Sequence, residues 1–96
     1  EPQNASLVIK GRKNFEDLSE EEKFRFELYF EMRIRIMAFG LNVLKKKGNS
    51  QELYRRVGQF MSDPGTNACY EVILQKQGIP ARIVSLVEKS RAFYKA

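Results

Sequence analysis

Ninety-six residues, 43% hydrophobic and 30% charged, suffice for one modest core and are too apolar for a disordered tail. A single cysteine, Cys69, excludes an intrachain disulfide, and the lack of histidine excludes the usual zinc ligand sets and the commonest general base. The net charge of +5 is uneven: residues 1 to 31 carry 8 acidic and 5 basic side chains, residues 32 to 96 carry 4 and 12, so the basic part can attract nucleic acid, anionic lipid or an acidic protein without choosing among them.

The chain begins Glu1-Pro2 without an initiator Met, as expected of a processed chain or an excised fragment, which leaves room for an anchor or signal upstream. Asn4 is placed to cap a short helix over about 4–10, two turns at most, ending at Gly11. Residues 11 to 18 read as a connector held down by Phe15 and Leu18.

The dominant stretch is about 19–47. Ser19 followed three residues later by Glu22 forms a capping box, and Gly48 ends the helix. Glu20, Glu21 and Glu22 in the first turn and Lys45, Lys46 and Lys47 in the last complement the helix dipole. At ~100° per residue one stripe holds Phe26, Phe30, Ile34, Met37, Leu41 and Leu44, the expected core face. A second holds Leu28, Tyr29, Met32, Ile36, Phe39 and Val43. Two apolar sides on one helix place it centrally in a bundle or against another subunit. Gly40 is either a close helix crossing or a tolerated glycine. Arg33 lies between the stripes, where a charge is costly unless paired or able to reach water. It is expected either to pair with Glu71, or failing that Glu88, or to pack its stem and send its head into solvent. The longest charge-free run in this helix, Ile36 to Leu44, falls far short of the ~20 residues that cross a bilayer.

Asn49 with Glu52 repeats the capping arrangement, and Leu53, Tyr54, Val57, Phe60 and Met61 mark the buried face of a helix over about 50–62. Asp63 as N-cap and Pro64 at the first position open a helix over 64–77, with Cys69, Tyr70, Val72 and Ile73 inward and Gly78 as its stop. A last helix, about 80–94, lines one side with Ile79, Ile83, Leu86, Val87 and Tyr94. The expected fold is all-α: one four-helix bundle-like domain with a short N-terminal helical turn and a long central helix.

No catalytic, cofactor-binding or metal-ligating set is assembled by these residues, and the chain reads as non-enzymatic. Cys69 on an apolar helix face is expected to be a buried structural thiol. Lys45, Lys46 and Lys47 with Arg55 and Arg56 form a candidate anion-binding end. The helix joined at Ser62-Asp63-Pro64 suits the geometry of a DNA reader but presents only Lys76 as a cation, which argues against nucleic acid. The candidate interface is Leu28, Met32, Ile36, Phe39 and Val43, for a homodimer or another protein. The expected role is a protein-interaction or assembly domain; the alternative is a basic domain that binds nucleic acid or an anionic membrane.

The run Phe15-Glu16-Asp17-Leu18-Ser19-Glu20-Glu21-Glu22, the aromatic-rich helix, the lysine-glycine turn, Asp63-Pro64-Gly65 and Tyr70-Glu71 together resemble an uncharacterised group of bacterial proteins. In that group a membrane helix precedes a small helical domain with a Leu-Ser-x-Glu-Glu start and a later Pro-Gly, then Trp-Glu. The resemblance spans roughly residues 7 to 88, with Tyr70 where tryptophan is usual. It implies a membrane tether upstream of Glu1 and no known activity, catalytic residue or cofactor.

Overall fold

The computed structural model describes residues 2–46, 48, 50–76 and 78–95, with side chains for 5–40, 48, 50–76 and 78–95. Among these residues the fold is all-α, with five α-helices and a 3-10 turn: α1 (Pro2–Lys13), the turn (Phe15–Asp17), α2 (Glu20–Lys46), α3 (Ser50–Met61), α4 (Pro64–Gln75) and α5 (Ala81–Lys95). Lys47, Asn49 and Gln77, and with Asn49 the expected start of α3, lie outside the described residues.

α2 is the organising element because its ends are well specified. The Ser19 amide donates to Glu22 Oε1 at 3.0 Å and the Glu22 amide donates to Ser19 Oγ at 3.2 Å, which closes the capping box. At the other end Gly48 has φ of 73°, the left-handed conformation that lets the chain turn back. Its 27 residues, at ~1.5 Å each, match the 41 Å long axis of the molecule. All four other helices pack on it. Phe26, Phe30 and Ile34 are buried on its inner stripe and Met37 is partly so, while the Leu41 and Leu44 side chains lie outside the described residues.

The core is aromatic where α2 meets its neighbours. Phe30 stacks on Phe60 at 5.7 Å and tilts against Tyr70 at 6.2 Å, while Phe26 touches Phe15 of the 3-10 turn at 5.7 Å. Phe15 and Leu18 are both buried, so the connector is pinned as its sequence indicates. Leu53, Val57 and Met61 of α3, Cys69, Tyr70 and Ile73 of α4, and Ile83, Leu86 and Val87 of α5 complete the core.

Two features, Gly11 and Asp63, depart from the sequence reading, and Gly40 resolves to one of its two alternatives, a tolerated glycine. α1 is a helix of 12 residues that continues through Gly11, because that glycine serves as a crossing point and not as a stop. A Cβ on Gly11 would collide with the Phe26 ring, and one on Gly65 of α4 would collide with the Gly11 carbonyl oxygen. Gly40, by contrast, has no close crossing: a Cβ there would meet only Leu53 Cδ1, at 3.9 Å. Asp63 stands at the N-cap of α4 but makes no side-chain cap; its carboxylate accepts instead from Arg12 Nε at 2.7 Å, which ties α1 to the start of α4.

These packings give opposite outcomes for two chemically identical changes. Gly65→Ala is expected to destabilise by about 1–3 kcal/mol through overpacking, whereas Gly40→Ala is expected to stabilise by up to about 1 kcal/mol by removing a mid-helix glycine. Phe30→Ala should cost about 3–5 kcal/mol. Urea midpoints of the three variants decide all three, and equal midpoints for the two glycine variants would contradict the crossing.

Candidate functional site

The outer side of α2 is bare. Leu28, Met32, Ile36 and Phe39 are 51%, 55%, 56% and 71% exposed. Spaced four, four and three residues apart, they form a continuous strip over about 16 Å of helix at ~1.5 Å per residue. The fifth expected member, Val43, has its side chain outside the described residues. The strip stays open for a geometric reason. α3, α4 and α5 all pack against the inner part of α2, and α1 covers only its near edge.

Where α1 runs beside the strip, an apolar groove of about 620 Å³ opens between them, lined by Ala5, Leu7, Val8 and Ile9 from α1 and by Arg25, Leu28, Tyr29 and Met32 from α2. Ile9, 55% exposed, extends the apolar face onto α1. Sequence reasoning does not reach this extension: it expects two turns of α1 at most and assigns that helix no outward apolar face.

On the other side of Tyr29 lies a second opening of about 490 Å³, between α2 and α3. It is lined by Arg12, Arg33, Arg56 and Gln59 together with Tyr29, Ile36, Met37, Gly40, Leu53 and Phe60. Arg33 does not pair with Glu71. Its guanidinium carbon lies 6.0 Å from the Phe60 ring centroid, and its Nε is buried without a hydrogen-bond partner among the described residues. Glu71 is taken by Arg91, whose Nη1 stands 3.4 Å from Glu71 Oε1 and 3.2 Å from Glu88 Oε2. The physical reason is position: Arg91 on α5 lies beside α4 and over the Tyr70 ring at 5.7 Å, so it reaches the carboxylate that Arg33 does not.

Of the expected basic end, Arg55 and Arg56 have described side chains. Arg55 Nη2 and Nε donate to the two Glu52 carboxylate oxygens at 2.6 and 3.1 Å, and Arg56 Nε donates to Glu52 Oε1 at 2.9 Å. The two arginines pull the Glu52 carboxyl down to about 2. The side chains of Lys45 and Lys46, and all of Lys47, lie outside the described residues, so no shared patch is shown with Arg55 and Arg56.

Two buried groups on α4 are structural. Tyr70 Oη donates to Glu88 Oε2 at 2.9 Å, and burial followed by that hydrogen bond raises the phenol well above its usual range. Cys69 is fully buried, and burial first, then the nearby Glu27 and Glu31 carboxylates, push its thiol up to about 12. Such a thiol is protonated and unreactive at neutral pH. Among the described residues no group of three or more acidic, cysteine or histidine side chains is placed to hold a metal ion, and no helix is long and apolar enough to cross a membrane. No protein-family model, curated protein or solved structure matches the chain.

Because the thiol keeps its proton in the fold well above the value near 9 at which an exposed thiol ionises, the unfolded chain binds fewer protons between those values. The stability associated with the buried neutral thiol is therefore full below about pH 9 and is lost as pH rises toward 12. Native Cys69 should react with a disulfide reagent at pH 8 only as fast as the chain opens, whereas the chain in denaturant should react at once. Immediate labelling of the native protein would show that the thiol is accessible.

Proposed function

We propose that the chain is a non-enzymatic assembly domain that pairs with a second copy of itself through the outer face of α2, with α2 to α5 as a four-helix bundle and α1 as a brace across it. The observation that carries this reading is the unbroken exposure of Leu28, Met32, Ile36 and Phe39 on a helix whose opposite stripe buries Phe26, Phe30 and Ile34. A contiguous apolar surface of this kind is costly in water and marks interaction sites. Several acidic side chains are engaged in caps and ion pairs: Glu22 with Ser19, Glu52 with Arg55 and Arg56, Asp63 with Arg12, and Glu71 and Glu88 with Arg91.

A second copy is favoured over an unrelated partner because the edge of the strip is self-complementary. Glu31 and Arg35 lie four residues apart on the same edge, with opposite charges. In antiparallel pairing of two α2 helices about a two-fold axis, like edges meet, and Glu31 of one copy falls beside Arg35 of the other when the axis passes near residue 33. An isologous contact then buries the strip against itself and pairs both charges twice. The resemblance stated above would place this domain beside a membrane, where tethering raises the local concentration of copies.

The basic excess of residues 32 to 96 favours a second reading, docking on an anionic membrane surface. The two separate cleanly. Sedimentation equilibrium from micromolar to hundred-micromolar concentration should show a mass rising from that of one 11.2 kDa chain toward twice that value. Met32→Asp should hold it at one chain. Arg35→Glu should weaken pairing, and adding Glu31→Arg should restore it. A mass constant throughout, with vesicle binding lost in high salt, would replace the dimer by the membrane reading.

A further inference from the structure

We infer that the opening between α2 and α3 is a binding site for a small amphiphilic anion: a carboxylate or phosphate group carried on an apolar body. Three arginines converge on it from three helices, Arg12 from α1, Arg33 from α2 and Arg56 from α3, and its lining includes no aspartate or glutamate. Two of these charges are balanced from outside the lining. Arg12 Nε donates to Asp63 at 2.7 Å and Arg56 Nε to Glu52 at 2.9 Å. A guanidinium carries five N–H donors, and each of those contacts uses the Nε–H alone, leaving the planar fork of each for another acceptor.

Arg33 is different. It has no carboxylate partner among the described residues, and its Nε is shielded from solvent without any acceptor. The shielded Nε–H forfeits its hydration without an acceptor in exchange, and the face of Phe60 offsets only part of that loss. One negative group is therefore what the opening lacks, and bidentate donation from Arg33 to its oxygens, flanked by Arg12 and Arg56, is what the lining offers. The rest of the lining defines the remainder of the ligand. Ile36, Met37, Leu53 and Phe60 form an apolar wall, and Gln59 supplies an uncharged polar contact. At about 490 Å³ the space lies within the range of small-molecule sites. An inorganic anion would leave that wall wet, and a neutral apolar molecule would leave Arg33 unpaired. Only a molecule with both parts satisfies both.

This site is independent of the pairing face: Ile36 borders both, but Met32 and Phe39 do not line the opening. The test is titration of the isotope-labelled full chain with octanoate, followed by backbone amide shifts. Binding is expected with shifts centred on Arg33, Met37, Leu53 and Phe60. Octan-1-ol and inorganic phosphate should each bind at least tenfold more weakly. Arg33→Met, which keeps the stem volume and removes the charge, should weaken octanoate at least tenfold. Arg56→Met, at an exposed position whose loss leaves the core untouched, should weaken it severalfold and serves as the second variant if Arg33→Met does not fold. The inference is overturned if octanol binds as tightly as octanoate, if shifts centre on Leu28 and Met32 in the α1–α2 groove, if neither substitution changes the affinity, or if the chain binds anionic phospholipid vesicles while ignoring octanoate. A repeat in Met32→Asp should give the same affinity whether or not the chain pairs, so failure of one reading leaves the other measurable.

Discussion

The rest of the structure depends on a mismatch of lengths. One helix of 27 residues must be covered by four helices of 12 to 15 residues. Burying an apolar side chain is worth about 1.5–3 kcal/mol, so the short helices gather where the aromatic density is greatest, around Phe26, Phe30 and Ile34. Their glycines set how tightly they can do so. A Cβ on Gly58 of α3 would come within 2.8 Å of the Ser90 carbonyl oxygen of α5, and Gly65 performs the same service between α4 and α1, as Gly11 does between α1 and α2. With their buried faces on the inner stripe, these helices leave the outer one uncovered.

What could be read from the sequence was what local chemistry decides. Ser19 and Glu22 cap α2 because the two partners sit within one turn, and the helix period alone separates the Phe26 stripe from the Leu28 stripe. The buried, isolated Cys69 follows from the same periodicity. What could not be read required knowing which distant residue arrives. A glycine that ends a helix and one that admits a neighbour look alike in sequence, which is why Gly11 was taken for a stop. An Asp before a Pro looks like a cap unless an arginine 51 residues away claims its carboxylate, as Arg12 does. Arg33 was rightly singled out as a charge in an apolar setting, but its surroundings depend on how α1, α2 and α3 converge, and no spacing in the chain encodes that.

The two openings flanking Tyr29 divide the exposed side of α2 by chemistry. Toward α1 the lining is aliphatic, with Ile9, Leu28 and Met32; toward α3 it is guanidinium over aromatic and aliphatic side chains. Arg12, near the end of α1, links them, since α1 lines the first opening along its length and contributes that arginine to the second. The proposed assembly face and the inferred anion site thus share a wall without sharing their chemistry.

The clasp between α1 and α4 also governs the order in which the molecule can be made. α1 is the first helix to be synthesised, yet the residues that hold it, Gly65 and Asp63, come after α2 and α3 have been completed. A short helix alone is marginal in water, and closing so long a segment is entropically slow. The packing of α1 on α2 through Gly11 and Phe26 is available once both helices exist, but during vectorial synthesis the clasp itself closes only when α4 emerges. The Arg12 wall of the second opening is therefore pinned only at that late step, after the chain has delivered Asp63.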